Sequence, residues 1–379
     1  MFHVITGLIS LYVIWRFVWR LSLPKTGKTL LSIAVVLAAE HHLVTRTFFG
    51  TMASPEIPGT VLIALGWLFG SVILLAMLLA IRDLAGLVLF VFARARARCL
   101  WGARSWGNGA AVLAVALSAI GVWQAVRVPD VKTIEIALPR LPPALDGFRL
   151  VQLTDLHASR LLQAPWIEAV VNKANALHPD LIVITGDLVD GTTEARAADV
   201  RPLQALTAQY GVYAIPGNHE YYVEYQRWMA ALKQLGLRLL LNEHVTLAPN
   251  GKNLVLAGIT DSTAATFSQP LPDVAKALEG VSPADPVILL SHRPTGAAIN
   301  ARAGADLQLS GHTHGGQILG AHLLAQWANE GFVSGEYQVG AMRLYVSNGT
   351  GLWNGFPIRL GRPSEITQII LRAAPKTAQ

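Results

Sequence analysis

The chain has 379 residues and a formal charge of +6, with 52% apolar and only 14% charged residues, and its mean hydropathy is +0.42. Soluble domains carry roughly one quarter charged residues, so a wholly soluble enzyme is excluded, and the length suits two units better than one. The basic excess sits in short clusters beside apolar runs, which argues against a nucleic-acid partner, and a single cysteine, Cys99, rules out an intrachain disulfide.

Up to about Val126 acidic residues almost vanish, with only Glu40, Glu56 and Asp83 present. Crossing a hydrocarbon core of roughly 30 Å takes about 20 mostly apolar residues in a helix. Runs at 2–19, 59–81 and 109–126 match or approach that length, and the shorter apolar run 30–44 is read as a further span. Residues 1–128 are therefore expected to form a transmembrane region of about four helices in a cell (inner) membrane. The stretch 84–92 is too short to span alone and reads as a cytosolic extension or an interfacial helix. Arg16 and Arg20 follow the first run rather than precede it, which is the wrong polarity for a cleaved signal peptide. Positive-inside counting places the loops with Arg20, Lys25, Lys28 and with Arg94, Arg96, Arg98, Arg104 in the cytosol. Everything after Pro129 then lies on the extracytoplasmic face. Glu40-His41-His42 sits near one end of the second run, where lipid headgroups and water are expected to solvate it.

Residues 129–148 are Pro-rich and read as an extended linker and edge strand. Beyond them the composition is that of an ordinary globular enzyme, over 149–372, with a disordered tail at 373–379. Apolar, β-branched runs at 149–153, 181–185, 212–215, 254–259, 287–290, 307–309, 343–347 and 366–371 predict strands. Residues 166–177 place Ile167, Val170, Val171, Ala174 and Leu177 on one helical face, and 221–236 and 272–278 are further helices. The alternation predicts an α/β or mixed sandwich.

The polar residues fall where those strands end. The first ends in Asp155-Leu-His157 and the second in Gly186-Asp187-Leu-Val-Asp190. The third ends in Gly217-Asn218-His219-Glu220, and later strands end in His292 and in Gly311-His312-Thr-His314. Carboxyl ends of strands are where open α/β sheets place ligand sites. Carboxylate and amide oxygens suit hard divalent cations, and imidazole extends the range to Fe and Zn. Glycine before Asp187, Asn218 and His312 permits the tight backbone needed to aim several side chains at one point. A central carboxylate can bridge two ions about 3.5–4 Å apart, which clamp a phosphoryl group and poise a hydroxide for in-line attack.

In order and spacing these five elements resemble the calcineurin-like metallophosphoesterase superfamily, from about Arg149 to Leu371. The run His312-Thr-His314-Gly-Gly-Gln317 and the tail Tyr345-Val-Ser-Asn-Gly-Thr-Gly with Pro357-Ile-Arg359 look most like its membrane-associated bacterial phosphodiesterase branch. The resemblance implies a four-layer α-β-β-α sandwich. It also implies two divalent metal ions, with Mn²⁺ the first expectation and Fe, Zn or Mg compatible. One ion would be held by Asp155, His157, Asp187 and His314. The other would be held by Asp187, Asn218, His292 and His312. His219 would be the general acid, with Asp190 and Glu220 orienting it or a ligand. The expected function is a membrane-anchored phosphoesterase that hydrolyses a phosphodiester or pyrophosphate bond. Its partners would be the lipid bilayer and a phospholipid or lipid-linked envelope phosphate, without nucleic acid. A nucleotide phosphodiesterase and a non-catalytic membrane receptor or scaffold are the alternatives.

Overall fold

The computed structural model describes residues 2–49 and 54–374. It divides into two compact units, Met1–Ala125 with Asn354–Leu360, and Val126–Trp353 with Gly361–Gln379.

The first unit is helical. It comprises α1 (Phe2–Arg16), a 3-10 turn at Val18–Arg20, α2 (Lys25–Phe48), α3 (Gly59–Phe92), α4 (Arg94–Gly102) and α5 (Arg104–Val126). Four helical stretches, Phe2–Arg20, α2, α3 and α5, are long and apolar enough to cross a membrane. Pro24 and Pro58 stand immediately before α2 and α3, positions where a missing N–H breaks no helical hydrogen bond. Residues 84–92 extend α3 rather than forming a helix of their own, and its 34 residues reach about 51 Å at 1.5 Å per residue. One expectation changes: the basic stretch after them, read as a loop, is helical, as α4.

Small residues let this unit pack closely. A Cβ on Gly121 would lie 2.5 Å from Ile358 Cγ1, and one on Gly70 would meet Ser118 Oγ at 2.6 Å and Ile358 Cδ1 at 2.8 Å. The segment Asn354–Leu360, although it lies between two strands of the other unit in sequence, thus fills the space those glycines leave. Its backbone is tied there as well. Arg359 N donates to the Gly121 carbonyl at 2.9 Å, and His42 Nε2 bonds the Gly355 carbonyl. Arg359 itself is fully buried.

Of the Glu40-His41-His42 cluster, expected to be solvated, His41 and His42 are buried in the helical unit and Glu40 is partly so. His42 is 1% exposed and lies against His41 with ring centroids 3.8 Å apart and planes tilted by 39°. Glu40 accepts from Thr6 Oγ1 at 2.6 Å and pairs with His3 Nδ1 at 3.0 Å.

The second unit is built on two six-stranded sheets. Its strands are β1 (Asp130–Leu138), β2 (Arg149–Leu153), β3 (Leu181–Thr185), β4 (Val212–Ile215), β5 (Arg238–Leu239) and β6 (Glu243–Leu247). They continue with β7 (Leu254–Gly258), β8 (Val287–Leu290), β9 (Leu307–Ser310), β10 (Gly335–Val339), β11 (Met342–Val346) and β12 (Glu365–Ala373). One sheet runs β1-β12-β2-β3-β4-β5 and the other β10-β11-β9-β8-β7-β6. β2 through β5 are parallel, as are β7, β8, β9 and β11.

Alternation along the strands explains the layers. Leu150, Leu181, Val183 and Ile215 of the first sheet pack with Leu254, Leu256, Ile288, Leu290 and Leu309 of the second. Between them the two sheets bury one core. The opposite face of the first sheet, with Val151, Leu153, Ile182 and Ile184, is covered by α6 (Ala164–Asn175) through Ile167, Val170, Val171 and Ala174. Val255, Ala257 and Leu289 on the outer face of the second sheet pack under Ala277 and Ala297 from short helices. The result is the four-layer sandwich.

Three strands, β5, β6 and β10, escape the sequence pattern. β6 and β10 read Glu-His-Val-Thr-Leu and Gly-Glu-Tyr-Gln-Val, lie at sheet edges and bury only Leu247 outright. The helix expected over 221–236 is broken into His219–Tyr222 and Tyr225–Gln234, because Glu224 adopts a left-handed φ of +55°. β12 continues through Ala373, and the tail from 375 onward lies outside the described residues.

Candidate metal centre

Five parallel strands, β2, β3, β4, β8 and β9, present their carboxyl ends together, and each is followed within three residues by a donor side chain. Three of the turns that carry them, after β2, β3 and β9, are strained. Asp155, His157, Asp187, His312 and His314 have φ of +53°, +45°, +52°, +68° and +50°, and a left-handed non-glycine residue costs roughly 1–3 kcal/mol. Such strain persists only where surrounding contacts over-determine it. The adjacent glycines permit the crowding. A Cβ on Gly217 would collide with Asp187 Oδ1, and one on Gly311 with Asp155 Oδ2.

Glu220 supplies the over-determination for the β3 turn. Its buried carboxylate accepts N–H bonds from Asp187 and Gly217 on one oxygen and from Leu188 and Val189 on the other, at 2.7–3.2 Å. It staples the β3 turn to the β4 turn and does not touch the His219 ring by hydrogen bond.

Hydrogen bonds fix which atoms face inward. His292 Nδ1 donates to the Thr185 carbonyl at 2.8 Å, which leaves Nε2 directed at Asp187 Oδ2 (3.1 Å) and Asn218 Oδ1 (3.2 Å). The Asn218 amide nitrogen donates outward to Tyr222 Oη at 3.2 Å, so its oxygen is the inward atom. Asp190 bridges two imidazoles, accepting from His157 Nδ1 at 3.2 Å and from His219 Nδ1 at 2.5 Å. His157 Nε2 therefore faces His314 Nε2 at 3.3 Å, Asp187 Oδ2 at 3.7 Å and Asp155 Oδ1 at 3.9 Å. His314 Nε2 lies 3.7 Å from the same Asp155 oxygen.

Three overlapping groups have ligand-capable atoms mutually within 4.8 Å: Asp155 with His157 and His314, His157 with Asp187 and His219, and Asp187 with His292 and His312. Asp187 belongs to two of them. Among the described residues these are the groupings with that geometry, and all lie in the catalytic unit. The donor chemistry fits a pair of divalent cations: the imidazoles of His157, His292, His312 and His314, one amide and two carboxylates converge with no Lys among them.

Electrostatics point the same way. Burial pushes the His292 and His219 imidazoles down, yet Asp187 outweighs it for His292 and Asp190 with Asp187 for His219, lifting them to about 10 and about 9. Burial and the Asp187 charge push the Glu220 carboxyl up to about 7 against the Gly217 N–H bond. His312 goes the other way, held well below the usual imidazole range by burial and by the His292 and Arg293 charges, so the demand for positive charge centres on Asp187 and Asp190, where cations would meet it.

Arg293 was not anticipated. Its guanidinium donates to His312 Nε2 at 2.9 Å, Asp261 at 2.9 Å and Thr263 at 3.1 Å. Its one signal in the sequence is its place directly after His292. Tyr222, half exposed, and Trp353 flank His219 with ring centroids 5.1 and 6.4 Å away. Of the other aromatics in that stretch, Tyr221, Tyr225 and Trp228 are core.

A family model described as calcineurin-like phosphoesterase matches residues 148–316. A bovine (Bos taurus) transmembrane protein with metallophosphoesterase domain is 39% identical over 278 residues, 70% of this chain and 62% of that one. A Helicobacter pylori metallophosphoesterase is 35% identical over 258 residues, 68% of this chain and 67% of its own length. The chain belongs to the calcineurin-like metallophosphoesterase family. A Bacillus subtilis metallophosphoesterase is 31% identical over 243 residues, 62% of this chain and 82% of that one. The chain spans 62% of the length of the bovine and zebrafish (Danio rerio) relatives it matches. Membership implies divalent metal ions, and the apolar helices make this metallophosphoesterase a membrane-associated one.

Proposed function

We propose that this metallophosphoesterase is a multi-pass membrane enzyme of the cell (inner) membrane that hydrolyses a phosphodiester or pyrophosphate bond of a lipid-linked or envelope substrate. The observation that carries the reading is the convergence of Asp155, His157, Asn218, His219, His292, His312 and His314 around the shared carboxylate of Asp187. Asp155, His157, Asp187 and His314 would hold one divalent cation, and Asp187, Asn218, His292 and His312 the other, with Mn²⁺ best suited to this oxygen–nitrogen mixture. Two such ions, when bound, supply Lewis acidity toward a phosphoryl group and a hydroxide nucleophile at neutral pH.

The remaining work belongs to the chain. His219 gives its Nδ1 proton to a hydrogen bond with Asp190, so its Nε2 is the atom that protonates the departing oxygen. Arg293 presents a fixed fork of donors suited to a phosphate oxygen. Tyr222 and Trp353 offer flat apolar walls beside His219, which suits the non-phosphate portion of the substrate. The tether supports a bilayer-borne substrate, since confinement to the surface concentrates enzyme where that substrate lives. The basic loops support an extracytoplasmic catalytic unit.

The test is turnover of bis(p-nitrophenyl) phosphate by the detergent-solubilised full chain with Mn²⁺, run beside lipid profiling of a membrane extract. His219→Ala should lower kcat by about 10²–10⁴-fold, the usual worth of a general acid, while two metals per chain remain by elemental analysis. Asp187→Asn should lose metal as well as rate. Equal turnover by wild type and His219→Ala would sink the assignment.

A further inference from the structure

The helical unit holds a second polar site that the phosphoesterase reading does not use. Where the end of α1, the turn after it, the middle of α3 and the start of α5 meet, there is a cavity of about 290 Å³. Its walls include Arg16, Arg20, Arg82 and Arg104, with Phe17 and Leu23 supplying apolar surface.

The charges do not balance. Asp83 accepts from Arg16 Nε at 2.6 Å, from Arg82 at 2.8–2.9 Å and from Tyr12 Oη at 2.8 Å. It is the single carboxylate among these partners, so four guanidiniums less one carboxylate leave three positive charges. Arg20 and Arg104 spend donors on neutral acceptors only, the Trp101 carbonyl and Ser22 Oγ. Each guanidinium has five N–H groups, so donors are left to face the cavity. Setting membrane orientation needs exposed arginines. It does not explain Arg82 at 3% exposure and Arg16 at 9%, which share the one carboxylate of Asp83 and so leave one charge of the buried trio unmatched, a costly arrangement.

We propose that this cavity binds the phosphate headgroup of an anionic lipid. Arg20 and Arg104 make the contacts, and the Arg16–Asp83–Arg82 pairing holds the wall. Guanidinium forks match phosphate oxygens bidentately. The first turn of α5, which contributes Arg104 and Gly107 to the lining, adds backbone N–H groups that favour an anion. Phe17 and the half-exposed Leu23 suit the acyl side of an amphiphile better than a free ion. The site is independent of the metal centre and takes a ligand rather than a substrate.

The experiment uses the full chain in nanodiscs of phosphatidylcholine, with and without phosphatidylglycerol, read by thermal unfolding. Native mass spectrometry of the detergent-solubilised chain provides the second readout. Wild type should retain one phosphatidylglycerol and melt higher with it than without. Arg20→Gln/Arg104→Gln, compared with its own melting point in phosphatidylcholine alone, should lose the phosphatidylglycerol-dependent rise and bind that lipid at least tenfold more weakly. The exposed Arg98→Gln should behave as wild type. Should the double variant fail to fold, Arg104→Lys keeps the charge but not the fork and should bind several-fold more weakly. Equal retention of phosphatidylglycerol by variant and wild type, or equal retention of phosphatidylcholine by wild type, overturns the site. Protection by inorganic phosphate equal to that by phosphatidylglycerol overturns the lipid as its occupant.

Discussion

Asp190 is in contact with two imidazoles that face the same cluster, at 3.2 Å and 2.5 Å, and one carboxylate thereby sets the tautomer of both. Asp190→Asn keeps the shape but puts a donor against one of the two Nδ1–H groups. Turnover should fall about 10²-fold or more through His219, and metal affinity about 10–100-fold through His157. Metal titration by calorimetry beside steady-state rates separates the two. Glu220 has a different task, since its oxygens hold four backbone N–H groups. Glu220→Gln turns one acceptor into a donor and should destabilise by about 1–3 kcal/mol for each N–H left unpaired, measured as a lower urea midpoint with kcat of the folded fraction little changed. The motifs Asp155-x-His157 through His314 were legible at this scale because each sits at a strand end in an apolar context. Arg293 was not, because nothing in local sequence distinguishes an arginine that reaches His312 from one in water.

The helices and strands follow their patterns where burial is complete and depart where it is not. β2, β3, β4 and β8 coincide with their expected ranges because both faces are buried and the apolar run is continuous. The edge strands β6 and β10 carry mixed polar residues, so no alternation marks them. In the helical unit the decisive pattern is glycine. Gly121→Val places methyls where Ile358 already stands, and over-packing of this kind costs about 1–3 kcal/mol. The solubilised protein should melt several degrees lower, and Ile358→Ala should restore part of the loss. Additive losses in the double variant would mean that the two side chains do not share that space.

At the scale of the whole molecule, the basic loops argue for a cytosolic α4 and an extracytoplasmic catalytic unit. The chain carries its own reporter, since Cys99 lies in α4, is exposed and is the single cysteine. A membrane-impermeant maleimide should label it only after cells are permeabilised, and labelling in intact cells would invert the proposed orientation. From sequence alone came the apolar third, an α/β or mixed sandwich and the candidate donors, because hydropathy, strand period and strand-end chemistry are local properties readable within a few residues. Tertiary structure alone decided that donors from Asp155 to His314 face one another across Asp187. That depends on the mutual stacking of two sheets, and no window of sequence contains it. The same holds for Asn354–Leu360, whose place among glycine-lined helices is set by packing shape rather than by any pattern of its own, and for the four arginines that surround a single cavity.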